Sequence, residues 1–232
     1  MLLLAIIAVA TAAGLDAAQN FSDPGIAAKG PFQVINNNPP LGTLTFYPTR
    51  ALFQSANPGL PTETFAGTSV PPGTRNFCTP PLNSTTNDAC FAAGSVIPGF
   101  SLSITVDGGA NEYVVLNAAL GLPCVAVGPN GFVDEPNFDL SPAVKAVAFD
   151  LFTPLGGGEP FTVEAFGPGG SLGSAPITGG GTSASFFGVD TSDPGGITRI
   201  EIREGIDKTG DLYCNLEFGG AVPVELQSLE IE

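Results

Sequence analysis

Residues 100–106 have the sequence FSLSITV, in which every second side chain is apolar. Phe100, Leu102, Ile104 and Val106 share one face of an extended strand, because successive side chains of a β-strand point to opposite faces. The serines and the threonine between them share the other face. One apolar and one polar face are typical of an antiparallel sheet that packs on a core with one side only.

Two later segments repeat this alternation. Residues 197–203 (ITRIEIR) predict inward Ile200 and Ile202 and outward Arg199, Glu201 and Arg203. The outward charges are expected to pair across strands, and a polar binding face is the alternative interpretation. Residues 211–218 (DLYCNLEF) predict a second such strand. Its expected inner face is Leu212, Cys214, Leu216 and Phe218, and its expected outer face is Asp211, Tyr213, Asn215 and Glu217.

Further strand signals run through the chain and are separated by Gly- and Pro-rich turns. They cover residues 32–35, 43–47, 112–116, 124–127, 144–152, 160–166 and 183–189. About ten strands without a helix after the N-terminal segment predict an all-β fold. We expect an antiparallel, jelly-roll-like β-sandwich, with an immunoglobulin-like sandwich or a barrel as alternatives. Residues 54–95, rich in Pro, Thr, Asn and Ser, are expected to form long loops.

The N-terminus begins MLLLAIIAVATAA, an apolar run followed by small residues. This pattern predicts a secretory signal peptide over residues 1–18, although no Lys or Arg precedes the run. A retained hydrophobic segment, such as the assembly helix of a pilin-like subunit, is the alternative. The sandwich is expected over residues 19–220, and residues 221–232 form either a last strand or a linker.

The cysteines agree with export, since an even number of them in an oxidising compartment indicates disulfides. Four cysteines allow three pairings. We favour Cys78–Cys90, which closes a Pro-, Asn- and Thr-rich loop, and Cys124–Cys214, which ties two strands together. A zinc site is disfavoured because no C-x-x-C spacing and no His is present.

Composition narrows the possible functions. The net charge of −15 makes nucleic acid and anionic membranes unfavourable partners, because both repel an acidic surface. The chain has no His, which removes the usual general base of Ser-His-Asp and Cys-His sites. It also has no Trp, so any aromatic contact to a sugar would come from Tyr or Phe.

A family resemblance is carried by an ordered series of strand and turn motifs. The series contains the segment IPGFS at 97–101, AVAFDLF at 146–152, FTVEAF at 161–166, SLGS at 171–174, FFGVDTSD at 186–193, ITRIEI at 197–202 and NLEFG at 215–219. It resembles bacterial exported proteins of the PEP-CTERM-associated type. The resemblance implies a jelly-roll sandwich and export, and it implies no active site. The C-terminal sorting helix of that set is missing from this sequence.

Acidic residues cluster in predicted turns, where loop carboxylates and carbonyl oxygens could bind calcium. The candidate ligands are Asp134, Glu135, Asp139, Asp190, Asp193, Asp207 and Asp211. None of these clusters fits the calcium-loop pattern of an EF-hand. Solvated turn residues are the alternative interpretation, because Asp favours turns on its own account.

The sequence therefore predicts a secreted, non-catalytic extracellular module that binds glycan or another cell-surface component, with calcium as a candidate cofactor. A structural subunit that self-assembles into a matrix or filament through its sheet edges is the second hypothesis. A glycoside hydrolase is the third. It would pair Asp150, which lies in an apolar strand, with Glu164 or Glu201.

Overall fold

A computed structural model describes residues 32–34, 42–106, 109–131, 133–204 and 210–221. The predicted signal peptide, Asp207 and nearly all of residues 221–232 lie outside the described residues. Within these ranges no helix is long and apolar enough to cross a membrane.

The described chain forms fifteen strands and one helix. In chain order they are β1 (Phe32–Val34), β2 (Leu44–Tyr47), α1 (Arg50–Ala56), β3 (Thr62–Glu63), β4 (Arg75–Cys78), β5 (Leu82–Asn83), β6 (Phe100–Thr105), β7 (Tyr113–Asn117), β8 (Val125–Pro129), β9 (Glu135–Val144), β10 (Ala146–Phe152), β11 (Pro160–Gly167), β12 (Gly170–Thr178), β13 (Ser185–Thr191), β14 (Ile197–Glu204) and β15 (Leu212–Gly219).

Two antiparallel sheets form the sandwich, which confirms the predicted fold class. The larger sheet has the order β1-β2-β13-β10-β15-β8-β7-β4, and β3 also pairs with β15. The smaller sheet has the order β12-β11-β14-β9-β6-β5. The prediction of about ten strands was too low, because β3, β4, β5, β9 and β12 were missed.

An aromatic stack joins the two sheets at the centre of the core. Phe138 of the smaller sheet lies 5.9 Å from Phe149 of the larger sheet, and Phe149 lies 5.2 Å from Phe187, centroid to centroid. Tyr213 packs edge-on against Phe138 and Phe149 at 5.4 and 5.3 Å. Edge-on and offset ring pairs of this kind stabilise a core by about 0.5–1.5 kcal/mol each beyond simple burial.

Strand β15 corrects the predicted facing of its side chains. Tyr213 lies in the central core, whereas Leu212 and Cys214 belong to a separate apolar cluster on the outer side of the larger sheet. The reason is a β-bulge at Asn215, which has a φ of 51° and breaks the register with β10. A bulge adds one residue to a strand, so it shifts the in–out alternation of the sequence.

Helix α1 is a second correction, since no helix was expected here. The Thr49 hydroxyl accepts a hydrogen bond from the amide of Leu52 and caps the N-terminus. The buried Phe53 packs edge-on against Tyr47 at 5.6 Å. A single buried residue in seven gives no helical periodicity, so the sequence concealed this element.

The disulfides have the favoured pairing, Cys78–Cys90 and Cys124–Cys214. The first joins the end of β4 to the irregular stretch that follows β5. The second joins the segment before β8 to β15 within the outer apolar cluster. Residues 54–95 are therefore loops interrupted by the end of α1 and by three short strands.

Candidate functional site

The outer side of the smaller sheet is a continuous polar surface, here called the polar face. Its side chains alternate with the inward apolar residues of β6, β9, β14 and β11. The polar face consists of Ser101, Ser103, Thr105, Glu135, Asn137, Asp139, Arg199, Glu201, Arg203, Thr162, Glu164 and Phe166. Eleven of these twelve side chains are polar, and all except the buried Asn137 are half-buried or exposed.

Strand register arranges these side chains in rows across the sheet. Ser103 lies opposite Asn137, Asn137 opposite Glu201, Glu201 opposite Glu164, and Glu164 opposite Ser174 of β12. Because neighbouring strands are about 4.8 Å apart, a row over five strands extends about 19 Å. The neighbouring row joins Asp139, Arg199 and Phe166.

Two arginines of β14 organise the centre of the polar face. Arg199 pairs with the Glu201 carboxylate at 2.5 Å, and Arg203 bonds the other oxygen of the same carboxylate. Arg203 also reaches Glu135 of β9 at 3.1 Å. The predicted ion pairing is therefore mainly along β14, with one pair that crosses to β9.

Two side-chain hydrogen bonds hold the β6–β9 half of the polar face in place. The Asn137 amide donates to Thr105 Oγ1 at 2.9 Å, and the Ser103 hydroxyl donates to Asp139 at 3.0 Å. Side chains held by such bonds are already ordered, so a ligand pays little conformational entropy for them.

An aromatic ring borders the polar face at β11. Phe166 is half-buried, and the Arg199 guanidinium lies 5.0 Å from its ring centroid. A guanidinium over a ring makes a favourable cation–π contact. On the same strand, Glu164 accepts a hydrogen bond from the Ser171 hydroxyl at 2.5 Å.

Among the described residues, the predicted calcium ligands form no group of three or more that could hold one ion. Glu135 and Asp139 lie on the polar face, whereas the neighbouring Asp134 is fully buried and accepts from the amide of Gly109 at 3.1 Å. Asp211 is buried and accepts a hydrogen bond from the Tyr213 hydroxyl.

The other two described candidates, Asp193 and Asp190, make hydrogen bonds in a turn and beside the helix. Asp193 accepts from the amides of Gly42 and Gly195 at 3.1 and 2.7 Å. Asp190 accepts from the Tyr47 hydroxyl at 2.6 Å, beneath α1. Burial and the Asp190 carboxylate raise the pKa of Tyr47 well above its ordinary value.

Within the described residues, a single group of three potential metal ligands lies close enough for one ion, namely Cys78, Asp88 and Cys90. Both cysteines are in a disulfide, so their sulfurs are not thiolate ligands. Asp88 instead accepts from the Tyr113 hydroxyl at 2.9 Å, and burial together with this carboxylate raises the pKa of Tyr113. Calcium binding by this chain stays a prediction.

Asp150, the candidate catalytic carboxylate, lies on the outer side of the larger sheet. Arg50 of α1 pairs with it at 2.9 Å, and the Asn215 amide donates to it at 2.8 Å. Glu164 and Glu201 lie on the outer side of the opposite sheet, and face-packed sheets are about 10 Å apart. Asp150 and either glutamate therefore cannot flank one glycosidic bond, which requires carboxylates about 5–9.5 Å apart.

The sequence analysis missed β9, because it assigned the acidic residues of this segment to predicted turns. The signal was nevertheless present: Glu135, Asn137 and Asp139 alternate with buried residues as in any strand with one wet face. That alternation predicts that the three side chains share one face of a strand, but it does not predict that β14 lies beside this strand.

Comparisons with known proteins give weak structural likenesses and no relative in sequence. No protein-family model and no curated protein sequence matches the chain. A family 11 carbohydrate-binding module from Clostridium thermocellum, solved with a β-1,3-1,4-mixed-linked tetrasaccharide, has a TM-score of 0.27 at 16% identity over 54% of this chain and 86% of its own. The family 11 module of the cellulosomal cellulase Lic26A-Cel5E from the same organism has a TM-score of 0.28 at 14% identity over 73% and 98%.

The enzymatically active domain of tailspike protein 4 of bacteriophage CBA120 has a TM-score of 0.28 at 12% identity, over 66% of this chain. The match spans only 21% of the tailspike chain. At these TM-scores the likenesses carry no argument about binding residues or activity.

Proposed function

We propose that this chain is an exported, non-catalytic module that binds a neutral glycan on its polar face. The observation that carries the proposal is the array of eleven polar side chains over four neighbouring strands, ordered by their own hydrogen bonds. Such an array presents fixed donors and acceptors over a length of about 14 Å, because neighbouring strands are about 4.8 Å apart.

The chemistry of the polar face suits a ligand rich in hydroxyl groups. A guanidinium only donates, a carboxylate only accepts, and an amide or hydroxyl does both. A sugar hydroxyl does both as well, so it can insert between Arg203 and Glu135 or beside Asn137. The half-buried ring of Phe166 offers an apolar edge against which a sugar ring can pack.

Other ligand classes fit the polar face less well. Protein interfaces are organised around an apolar, aromatic centre, and Phe166 at the border is the one apolar side chain here. Nucleic acid is disfavoured by the net charge of −15. The polar face itself has four carboxylates (Glu135, Asp139, Glu164 and Glu201) against two guanidiniums, which favours neutral over acidic glycans.

The carboxylates of the polar face that already have bonding partners favour a binding role over glycoside hydrolysis. Glu201 already bonds two arginines and Glu164 bonds Ser171, while Asp150 lies on the other sheet. Export is supported by the two disulfides, which persist in oxidising compartments, together with the apolar N-terminal segment.

A glycan and polysaccharide array tests the proposal, with the full chain applied in calcium and then in EDTA. We expect selective binding to neutral glycans. Loss of binding in EDTA and its recovery with calcium would assign a ligand-shaping role to the acidic turns. Binding that EDTA does not change would remove calcium from the proposal. No binding in either buffer would contradict it and favour the self-assembling subunit.

Variants on the polar face locate the contact. Arg203→Gln and Phe166→Ala should each weaken glycan binding about tenfold, because one removes charge-assisted hydrogen bonds and the other removes the ring. Thr182→Ala, at an exposed turn between β12 and β13, is the control and should bind as the parent does. Equal binding by all the variants would place the glycan elsewhere.

A further inference from the structure

The outer side of the larger sheet has an apolar groove at the end formed by β4, β7 and β8. Its lining includes Arg75 and the apolar side chains of Phe77, Val114, Leu116, Leu155 and Leu212. The groove offers about 80 Å³ to a bound molecule and is otherwise open to solvent. Small-molecule sites usually offer about 300–1,000 Å³, so a ligand here would be a short chain that lies partly exposed in the groove.

Exposed apolar side chains concentrate around this groove. Among the described residues, five large hydrophobic side chains are exposed, and three of them line the groove: Phe77, Leu120 and Leu155. Leu155 is the most exposed of all, at 61%. Apolar side chains gathered in a concave surface, rather than scattered singly, mark a binding site.

Arg75 is the cationic side chain among the residues that line the groove. Of the basic residues that the structure describes, Arg50, Lys145, Arg199 and Arg203 all have a carboxylate partner. Arg75 has none, and its guanidinium lies 5.4 Å from the ring centroid of Phe77. Asp211 also lines the groove, but its side chain is buried and bonded to Tyr213. A cation without a partner, in a chain of net charge −15, selects an anionic group.

Two larger occupants fit less well. A peptide that adds to the free edge of β4 would need the amide of Phe77, which already donates to its neighbour Asn76 at 3.0 Å. A second copy would bring together two chains of net charge −15 and, in a two-fold contact, two Arg75 side chains.

We propose that the apolar groove binds a small amphipathic carboxylate, such as a medium-chain fatty acid. Its tail lies on Val114, Leu116 and Leu212, between the exposed rims at Leu120 and Leu155. Its carboxylate accepts hydrogen bonds from Arg75. The site is independent of the polar face, which lies on the opposite sheet.

Isothermal titration of the full chain with octanoate tests this, beside octanol and octyltrimethylammonium as neutral and cationic ligands with the same tail. Octanoate should bind about tenfold more tightly than octanol, because the charge-assisted bonds to Arg75 are added to the same apolar burial. Octyltrimethylammonium should bind more weakly than octanol, because it repels Arg75.

Variants separate the two parts of the site. Arg75→Gln should reduce octanoate affinity to that of octanol and leave octanol unchanged, whereas Arg75→Lys should retain the preference. Leu155→Gln should weaken the binding of both octanoate and octanol. Because the Leu155 side chain is exposed, the fold does not depend on it. Arg199→Gln, on the opposite sheet, is the matched loss of one guanidinium and should leave octanoate binding intact.

The proposal is overturned by equal affinities for octanoate and octanol, by an unchanged octanoate affinity in Arg75→Gln, or by no heat of octanoate binding in the parent. Glycan binding is measured on the same preparations. A chain that binds glycan and not octanoate rejects the groove alone, and one that binds octanoate and not glycan rejects the polar face alone.

Discussion

The two outer surfaces of the sandwich differ in how deeply their charged side chains are buried. On the polar face, arginines and carboxylates form rows of half-buried side chains on the outer side of the sheet. On the larger sheet, Asp150, Asp190 and Glu217 are buried, and α1 lies over part of that sheet. Arg50 of α1 bonds both Asp150 and Glu217, and Gln54 donates to Glu217 at 3.1 Å.

This difference teaches which charges hold the fold and which are available to a ligand. A buried carboxylate that loses its partner is strongly destabilising, because it has no water to replace the lost contact. An exposed ion pair contributes about 0–1 kcal/mol, because water solvates either member alone. The same type of contact therefore stabilises α1 on one surface and can be exchanged for a ligand on the other.

The largest loss of stability should come from removing the disulfide Cys124–Cys214, which lies in the apolar cluster on the outer side of the larger sheet. Cys124→Ala with Cys214→Ala opens a loop whose ends are 90 residues apart, so the chain-entropy model gives a loss of about 4–5 kcal/mol in the free energy of unfolding. Urea unfolding followed by circular dichroism measures the loss. The matched change, Cys78→Ala with Cys90→Ala, opens a 12-residue separation and should cost about 3 kcal/mol. A smaller loss of unfolding free energy from the first pair of substitutions than from the second would contradict the prediction. It would mean that apolar packing, rather than the disulfide, stabilises the outer cluster.

Two arginines provide the sharpest contrast between the surfaces. Arg50→Met should lower the free energy of unfolding by about 2–4 kcal/mol, since Asp150 and Glu217 are left buried without their cation. Arg203→Met should lower it by about 1 kcal/mol or less, because Glu201 keeps Arg199 as a partner and 19% of the Glu135 side chain is exposed to water. Both values come from the same urea titrations. Equal losses would mean that the charges under α1 are as well solvated as those on the polar face.

Alkaline pH should weaken the fold through its buried tyrosines. The raised pKa values of Tyr47 and Tyr113 mean that the folded state keeps their protons after the unfolded state begins to lose them near pH 10. Stability is therefore complete below about pH 10 and falls as the pH rises further, by up to about 1.4 kcal/mol per pH unit for each tyrosine.

Unfolding in urea between about pH 8 and pH 11 measures this slope. Tyr47→Phe and Tyr113→Phe should each make the slope shallower, because the variant has no proton to lose at that position. A slope that neither variant changes would assign the alkaline effect to other groups.

Much of the sandwich was predictable because period-two alternation reports one-sided burial directly. Ile200 and Ile202 are fully buried, and the charged residues between and beside them face outward, as expected. The prediction failed where a bulge shifts the alternation. In β12 the buried positions change parity between Leu172 and Ala175, and the register with β11 shifts at the same place. A bulge depends on the partner strand, so a single strand's sequence does not reveal it.

The sequence predicted which side chains of the polar face point outward, but it did not predict which strands lie next to each other. The outward positions of β6 and β14 followed from alternation, but their adjacency depends on β9, which lies between them. Without β9, the acidic residues Glu135 and Asp139 were assigned to a metal-binding loop. The apolar groove had no sequence signal at all, because Phe77, Leu120 and Leu155 come from three separate segments.

The bulge at Asn215 has a consequence for changes in chain length. Tyr213 and Leu216 both face the core although they are three positions apart, because Asn215 is the extra residue between them. Removing it would leave Tyr213, Leu216 and Phe218 on the inner side, since two positions would then separate each from the next. A deletion elsewhere in β15 would reverse every side chain on one side of the change. Position 215 is thus where this strand can lose one residue without reversing its side chains, at the expense of the contacts that Asn215 makes with Asp150 and Arg50.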